Sequence, residues 1–592
     1  MAQTQDPTTG TVSNPAEETH AFHAPPPPRL RGPAALLRAL AYATVDNPVL
    51  VKEFRIRMRG ARAYWVLLGY TLLLAGVVAM RYFIHEVGAA AQESMGGGVT
   101  AQSARDLGRW IYSFAFVAQS LMVAFITPAI TAGTVTIERE QRSYELLATT
   151  PLRPVDVIRG KLAAAVAFVV LLLTASLPLV SLSFLVGGVS PSEIFFSYVI
   201  IGLASFVYGA TGIFWSATLK TTAGATVVTY LTVMAIFVAT VVPGAAASMS
   251  GATGGMQPEM PFQSLNPLTA TFRAVQSEYF FATKMPSWIG GVVLNLLSGL
   301  LISVTAMARL EHFDPPRAWW PRLLSSLLWF SFSLFLTAPT LGGQLTSTTT
   351  VAATRETIAI WLGVILTLVV LITPILNTGD LIVRRGESAA GRYLNGLLPW
   401  RAFGNDLSCG LPLVTGWTLL SLALLPVAFQ AAGKMKLMLA SGAFQPGLLV
   451  CLAVMFALAG IGNLLSVGLP SRWAACVLTY LAAVVLLLLP FFPMNLFNPG
   501  MPAARTPSLL FQVLYLLPWK AFEQLGNPGS FTANNPALLL GKGVPVWVVN
   551  VAIYTSIGFL GYLLTLLRVA REGRQLQARM EATERALSNA TV

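Results

Sequence analysis

The chain has 592 residues, of which 55% are hydrophobic and only 11% are charged, and its formal net charge is +13. Soluble domains carry roughly 25% charged residues, so this composition excludes an ordinary water-soluble globular protein and predicts a polytopic membrane protein. The basic residues cluster at the ends of apolar runs, which argues against nucleic acid as a partner. Three cysteines, two of them within apolar runs, indicate neither a disulfide framework nor a metal site.

Residues 1–46 form the first segment, which is polar and rich in proline. This composition is typical of a disordered tail, and we expect the tail on the cytoplasmic side. Four consecutive prolines at positions 25–28 also suit a partner that binds polyproline helices, although a flexible tail alone explains them. The first apolar run starts too late for a cleaved signal peptide.

The segment NPVLVKEFRIRMRGAR, residues 47–62, precedes the first apolar run. It predicts a helix with Asn47 as its N-cap and Pro48 at its first position. Basic residues fall along one face and apolar residues along the neighbouring face: Lys52, Arg55, Arg59 and Arg62 beside Leu50, Val51, Phe54 and Met58. This pattern favours an interfacial helix among anionic headgroups, with a plain positively charged anchor as the alternative.

Twelve apolar segments are long enough to cross a bilayer, which takes about 20 residues. They lie at 64–84, 110–133, 162–187, 194–218, 222–243, 287–308, 322–340, 357–378, 411–432, 445–468, 473–492 and 545–567. With the N-terminus inside, the cytoplasmic segments hold 27 of the 38 Lys and Arg residues, the outer segments hold 10, and Arg81 lies near the outer end of the first span. This imbalance predicts that both termini are cytoplasmic. The spans contain almost no ionisable side chains, which argues against a proton-coupled carrier.

An internal repeat appears at an offset of 250 residues. Residues 212–230 align without gaps with residues 462–480, and seven of the nineteen positions are identical. Each unit holds six spans, so both units have the same orientation in the membrane. The sequence therefore predicts an all-α polytopic membrane protein with two parallel six-helix repeats, over 47–310 and 311–568, and a cytoplasmic C-terminal helix or tail over 569–592.

The segment TIEREQRSYELLATTPLRPVDVIRGKL, residues 136–162, joins the second and third spans on the predicted cytoplasmic side. It predicts a helix from about Glu138 to Thr149, ended by Pro151 and Pro154, and a second short helix that leads into the third span. Charges of both signs are present, whereas basic residues alone would suffice to fix the topology. Mixed charges on a short surface helix are typical of a site for a protein partner.

Together these two segments resemble the membrane subunits of ABC-2-type (type V) ABC transporters. That family begins with an amphipathic elbow helix, here NPVLVKEFR, and joins its second and third spans by a coupling helix, here EREQRSYELLATTPLRPVDVIRGKL. The resemblance covers the first six spans and implies that the coupling helix seats in a cytoplasmic ATPase subunit. The contacts that it implies are Glu138, Arg139, Glu140, Arg142, Glu145 and Leu146. The corresponding segment of the second half, GRYLNGLLPW, lacks the acidic pair and the GKL ending.

The function that the resemblance implies is that of a permease subunit, an exporter in a bacterial cytoplasmic membrane, coupled through residues 137–161. The chain has no G-x-x-x-x-G-K-[ST] phosphate loop, so ATP with Mg²⁺ is expected on a separate partner chain. We expect no cofactor, no catalytic residue and no metal ligand in this chain. The expected partners are ABC ATPase subunits, membrane lipids and an unidentified transported substrate, without nucleic acid.

Two other functions are compatible with parts of the sequence. An ABC-2-like membrane scaffold, which uses a partner ATPase for mechanical or signalling work, shares all of the features above. An integral membrane enzyme needs paired carboxylates, an activated nucleophile or a set of metal ligands. Only four histidines occur, and there is no Asp-x-Asp or His-x-x-x-His pattern, which argues against an enzyme.

A reporter of membrane sidedness tests the predicted topology. Fused after Val592, the reporter is expected to read as cytoplasmic; inserted near Gly251 or Pro528, it is expected to read as external, because the basic residues favour the other side. Alkaline phosphatase and green fluorescent protein fusions report the two sides. An external reading after Val592 would show that the number of spans is wrong by one.

Overall fold

The computed structural model describes residues 47–94, 101–142, 154–249, 266, 277–280, 283–286, 288–310, 319–347, 350–376, 388–399, 402, 409–469, 472–488, 518–526 and 545–590. These residues are almost entirely helical, which confirms the predicted all-α class in outline, and a two-stranded antiparallel hairpin is the exception. The predicted tail over 1–46 and the predicted outer loops near Gly251 and Pro528 lie outside the described residues.

The first half of the described chain begins with two helices that are separated at Gly60. It ends with the helix that follows a two-stranded hairpin. Its helices are α1 (Pro48–Met58), α2 (Ala61–Ser94), α3 (Ala101–Thr131), α4 (Thr136–Glu140), α5 (Pro154–Val186), α6 (Pro191–Thr218), α7 (Thr222–Met249) and α8 (Trp288–Leu310). Strands β1 (Ser277–Phe280) and β2 (Thr283–Pro286) form the hairpin between α7 and α8. A capping box formed by Ser190 and Glu193 fixes the beginning of α6.

The second half continues with α9 (Trp319–Ser347), α10 (Val351–Leu376), α11 (Ala389–Gly396), α12 (Gly410–Ala431), α13 (Met435–Ser441), α14 (Phe444–Gly468), α15 (Arg472–Leu488), α16 (Pro518–Gly526) and α17 (Val546–Ala590). Gly442, with φ 63°, provides the left-handed residue that ends α13. The last helix has 45 residues and runs through both the twelfth predicted span and most of the predicted C-terminal segment. That segment is therefore a continuation of the helix rather than a separate element.

Each of the twelve predicted spans overlaps one of these helices. Within the described residues, nine helical stretches are long and apolar enough to cross a membrane: Ala63–Gly88, Arg105–Glu140, Asp156–Val186, Pro191–Thr218, Trp288–Met307, Val351–Val370, Gly410–Ala431, Phe444–Gly468 and Val546–Arg571. Two more predicted spans contain shorter apolar helices, Thr222–Phe237 and Ala474–Ala483. The transmembrane character is thus confirmed, whereas the count of twelve spans stays a prediction.

The helices pack in a similar order in both halves. In the first half, α6 has its most extensive contact with α8 and also packs against α3, α5 and α7. In the second half, α14 has its most extensive contact with α17 and also packs against α10, α12 and α15. In each case the fourth predicted span of the half contacts the sixth, second, third and fifth. A contact between α8 and α9 joins the two halves.

Six of the seven identical residue pairs in the aligned segments have the same degree of burial; the exception is Ser216, which is fully buried, and Ser466, which is partly exposed. Leu219 and Leu469 are the C-caps of α6 and α14, both with extended backbone and both donating their N–H group to the carbonyl four residues earlier. Val227 and Val477 are both exposed, by 58% and 61%. The alignment therefore pairs positions that end the same helix or face the same side.

Thr229 and Thr479 provide a second matched pair, in α7 and α15. Both threonines are fully buried, and each donates its hydroxyl to the carbonyl of the residue four positions earlier, Ala225 or Ala475, at 2.6 and 2.7 Å. A buried hydroxyl needs such an acceptor because water is absent. Ala225 and Ala475 are themselves fully buried. The matched alanine and threonine therefore face the interior in both helices.

Close helix contact in the second half depends on glycine. A Cβ atom added to Gly460 of α14 would lie 2.7 Å from the carbonyl oxygen of Gly558 in α17, and one added to Gly561 would lie 2.8 Å from the carbonyl carbon of Gly460. Both distances are too short for a side chain, so the backbones of α14 and α17 touch directly. Small residues that let backbones approach are a common basis of helix association in membranes.

Gly460→Ala is expected to lower the free energy of unfolding by about 1–3 kcal/mol, because the new methyl group overpacks this contact. Gly416→Ala in α12 is the matched control: open space surrounds the position of its Cβ atom, and alanine favours a helix by about 1 kcal/mol over glycine. Thermal unfolding of the detergent-purified chain measures both variants. Equal stability of the two variants would contradict the glycine contact.

Candidate functional site

Asn47 fixes the beginning of α1 and joins it to α5. Its Oδ1 accepts a hydrogen bond from the backbone N–H of Val49 at 2.9 Å, which confirms the predicted N-cap, and Pro48 occupies the first helical position. Its Nδ2 donates to the backbone carbonyl of Asp156 at 2.7 Å. Because Asn47 is buried, one amide satisfies polar groups of both helices where water is absent.

Gly160 allows α1 to approach α5 this closely. A Cβ atom at Gly160 would lie 2.7 Å from the Cβ of Val49 and 3.0 Å from Oδ1 of Asn47. Cβ of Val49 is attached directly to the backbone, and Oδ1 of Asn47 is held by its hydrogen bond from Val49, so a larger residue would push the first turn of α1 away. The glycine of the GKL sequence is therefore required for packing.

Lys161, the next residue, lies at the centre of a buried group of charges. Its Nζ lies 3.1 Å from Oε1 of Glu53 in α1 and 2.7 Å from Oε1 of Glu138 in α4. Nζ also donates to the carbonyl of Thr134 at 3.1 Å, so the ammonium group has an acceptor for each of its three protons. Only 2% of the Lys161 side chain is exposed. We call Lys161, Glu53 and Glu138 the Lys161 cluster.

Because these charges are buried or partly buried, removing one of them is costly for the stability of the fold. Removing an ion from water costs several kcal/mol, and an opposite charge compensates only when the geometry is good and the remaining hydrogen bonds are made. The side chains of Glu53 and Glu138 are themselves only 15% and 16% exposed. Without the ammonium group of Lys161, two like charges would face each other at one partly buried place.

The other two charged residues of α4 hold it against α6 and α7. Nη1 of Arg139 donates to the carbonyls of Ala217 and Leu219, at 3.0 and 3.4 Å, where α6 ends. Oε1 of Glu140 accepts from the backbone N–H of Thr222 at 2.8 Å, where α7 begins. A cation at the end of one helix and an anion at the beginning of the next both match the helix dipoles.

Ser216 of α6 satisfies the beginning of α4. Its Oγ accepts from the backbone N–H groups of Val135 and Thr136, at 2.9 and 3.1 Å. The hydroxyl of Thr222 also donates to the hydroxyl of Thr136 at 3.1 Å. A helix of five residues is too short to be stable alone, so α4 exists because side chains from α5, α6 and α7 hold it.

Arg57 of α1 contacts the end of α3. Its Nη2 donates to the carbonyl of Ile130 at 3.2 Å, four residues before the carbonyl that Lys161 contacts. Burial lowers the pKa of the Arg57 guanidinium from its ordinary value, and the carboxylate of Glu53 acts in the opposite direction. Arginine stays charged at neutral pH. Two cations therefore lie at the C-terminal end of α3, where the helix dipole favours positive charge.

Within the described residues, the side chains of the predicted ATPase-contact residues point in different directions. Glu138 points into the Lys161 cluster, whereas Arg139 and Glu140 hold α4 to its neighbours. Arg142 is exposed beyond the end of α4. The remaining two, Glu145 and Leu146, lie outside the described residues. The ATPase contact itself stays a prediction for all six residues.

The predicted helix from about Glu138 to Thr149 is wrong in its extent. Helix α4 ends at Glu140, and a turn follows at residues 141–142. Arg142 has φ 57°, in the left-handed region, which a right-handed helix does not include. The sequence gives no signal for this end, because the position holds arginine rather than the usual glycine or asparagine.

The basic face predicted for α1 is shorter than expected. Lys52, Arg55 and Arg59 are exposed, as an interfacial helix requires. Helix α1 ends at Met58, however, and the extended backbone of Arg59 and the turn at Gly60 place Arg62 in α2. Helical spacing alone does not reveal this break. The interfacial position of α1 in lipid stays a prediction.

Sequence reasoning missed Glu53 and Lys161 as members of one site. One signal was available, because Lys161 directly precedes the apolar run 162–187, and a charge at the edge of such a run needs a partner. Nothing in the local pattern shows that one partner lies 108 residues earlier in the chain. Only the packing of α1 against α5 brings the two together.

In the second half, an apolar contact holds the corresponding short helix. Helix α11 follows α10 as α4 follows α3, and Ser388 caps its beginning. Tyr393 of α11 is 1% exposed and packs with Ala459 of α14 and with Tyr562 and Val569 of α17. The sequences of the segments that contain α4 and α11 differ, and so do the contacts described for these two short helices.

No protein-family model matches the chain, and no curated protein matches it. The likeness to ABC-2-type permeases therefore rests on the two segments quoted above. The structure adds that these segments contact each other: Asn47 and Glu53 of the first meet Asp156 and Lys161 of the second.

Lys161→Met is expected to lower the free energy of unfolding by about 3–5 kcal/mol, the usual cost of removing one partner of a buried ion pair. Lys220→Met is the control, because Lys220 is exposed at the turn between α6 and α7. Adding Glu53→Gln and Glu138→Gln to Lys161→Met should recover part of the loss, since the facing like charges are then removed. Equal losses of unfolding temperature for the two single variants would contradict the cluster.

Proposed function

We propose that this chain is the permease subunit of an ATP-driven exporter of the ABC-2 type, in a bacterial cytoplasmic membrane. One observation carries the proposal: residues of the two family-like segments, far apart in the sequence, meet at the Lys161 cluster. A segment kept only for topology has no need of such a meeting point. A coupling element does need one, because it must be fixed to the helices that it moves.

Helix α4 is well placed to pass a push from a cytoplasmic ATPase to the membrane helices. Ion pairs and hydrogen bonds attach its residues to α1 and α5 through Lys161, to α6 through Arg139 and to α7 through Glu140. Elements that are attached in this way move as one body. ATP-driven closure of the partner then displaces the ends of these helices together and rocks one half of the permease against the other.

The exposed surface at α4 and the turn that follows it is small and contains both apolar and polar side chains. Ile137 is 44% exposed, and Gln141 and Arg142 are exposed beside it. An apolar side chain at the centre with polar or charged groups at the rim is the usual composition of a protein interface. We therefore assign the ATPase contact to this face rather than to Glu138, which is engaged within the chain.

The proposal includes two parallel six-span repeats. The matched C-caps at Leu219 and Leu469, the matched buried threonines at 229 and 479, and the shared order of helix contacts support it. Within the described residues, a buried cluster of charges that holds a short helix is found only in the first half. We infer that the first half receives the push and that the second half forms the opposite wall of the path.

Site-specific photo-crosslinking in membranes tests the partner. A crosslinking amino acid in place of Arg142 is expected to capture a polypeptide that carries a phosphate loop, because this residue is exposed beside α4. The control position is Lys436 of α13, also exposed and on the other predicted side of the membrane. Capture of the same polypeptides from both positions, or of none that binds ATP, would contradict the proposal.

The purified complex then separates transport from mechanical or signalling work. Arg142→Glu is expected to reduce the ATP turnover that the permease stimulates, without lowering the unfolding temperature, since its side chain is exposed. Glu138→Lys is unsuitable for this purpose, because it places a second cation against Lys161. ATP turnover without flux of any cargo in reconstituted vesicles would favour a membrane scaffold over a permease.

A further inference from the structure

Arg81 is a cation within an apolar helix. It lies in the membrane-spanning part of α2, Ala63–Gly88, seven residues or about 10 Å from its end. Ionisable side chains are rare within a span, and a long one near the end of a span can place its charge at the interface, where a charged partner is expected. Within the described part of the chain, both ion pairs belong to Lys161, and Nε of Arg81 is buried without a hydrogen-bond acceptor.

Two aromatic rings of α3 hold the guanidinium of Arg81. Its central carbon lies 4.8 Å from the ring centroid of Trp110 and 5.7 Å from that of Phe114. A cation over an aromatic face is stabilised, most strongly where water is excluded. Stacking uses the face of the guanidinium, whereas its N–H groups lie in the plane and suit a planar or tetrahedral anion such as phosphate.

The same two rings line a cavity of about 500 Å³. This volume is within the range of roughly 300–1,000 Å³ that small-molecule sites occupy. The lining combines apolar and polar side chains of α3: Asp106, Arg109, Trp110, Ser113, Phe114 and Val117. Asp106 and Arg109 are both exposed, and across the described residues they form no ion pair with each other.

The position of the cavity along α3 indicates what fills it. The membrane-spanning stretch begins at Arg105, so Trp110 lies about 8 Å inside it. Trp residues concentrate at this depth, where headgroups meet acyl chains. The anion that a membrane offers at this level is the phosphate of a lipid. The apolar residues Phe114 and Val117 lie one and two turns further towards the membrane centre, where an acyl chain begins.

We propose that this cavity is a binding site for a phospholipid with a phosphoethanolamine headgroup. The phosphate pairs with Arg109, which lines the cavity, and with Arg81, which lies against the lining residues Trp110 and Phe114. The ammonium group faces Asp106, and the start of an acyl chain covers Phe114 and Val117. Asp106 is the reason for choosing this headgroup, because a glycerol headgroup offers it no positive charge. The site lies at the end of α3 opposite the Lys161 cluster, so it is independent of the proposed ATPase contact.

Native mass spectrometry of the full chain in mild detergent tests this site. Titrated with phosphatidylethanolamine, the unaltered chain is expected to retain one tightly bound lipid. Arg81→Gln is expected to weaken this binding about tenfold or more, the equivalent of one hydrogen bond to a charged group. Trp110→Leu keeps the charge but removes the ring that positions it, and a loss of similar direction is expected. Arg142→Gln, an exposed arginine beyond the other end of α3, is the matched control and should bind as the unaltered chain does.

The headgroup and the source of the phosphate are tested in the same experiment. Asp106→Asn should remove the preference for phosphatidylethanolamine over phosphatidylglycerol while binding of both lipids persists. Excess glycerol 3-phosphate should not displace the lipid, because it has no acyl chain; displacement would assign a soluble anion and overturn the proposal. Equal binding by Arg81→Gln and the unaltered chain, with circular dichroism showing the same fold, would also overturn it.

Discussion

A lysine ammonium group that is removed from water must be neutralised where it lies, and this requirement organises one end of the first half. Lys161 lies near the beginning of the membrane-spanning helix α5, but the carboxylates that neutralise it come from two other elements, α1 and α4. The charge therefore fixes three separate elements relative to one another. Gly160 beside it leaves the space that α1 needs, and Asn47 satisfies the backbone where the two helices meet. Within the described residues, this cluster is what links α1 to α4.

The alternating charges of α4 follow from the geometry of a helix. Successive residues point about 100° apart, so Glu138, Arg139 and Glu140 face three different neighbours. The first carboxylate meets a lysine, the arginine meets the C-terminal carbonyls of α6, and the second carboxylate meets the first N–H group of α7. Each sign is the one that its neighbour requires. The three charges of α4, which by their mixed sign suggest a surface for a partner, are thus internal attachments.

Two cations at opposite ends of the first half are stabilised in different ways. Lys161 is neutralised by carboxylates of the protein, which makes it a structural element of the fold. Arg81 is held by the faces of two aromatic rings, which position a guanidinium without cancelling its charge. The first arrangement pairs a cation with two carboxylates, whereas within the described residues Arg81 has no carboxylate partner. In the second half, Tyr393 of the short helix packs against apolar neighbours.

The sequence by itself determined the membrane character, the positions of the long helices and the Asn47 cap, because these depend on composition and on patterns within a few residues. It also aligned positions of the two halves of which most have the same burial, among them the matching helix ends at Leu219 and Leu469. Only the tertiary structure decided that Glu138 faces Lys161, that Glu53 joins them, and that the chain turns at Arg142. Charge patterns along a helix give the spacing of side chains but not the neighbour that each one meets. That neighbour is fixed by the packing of helices whose residues lie more than a hundred positions apart in the sequence.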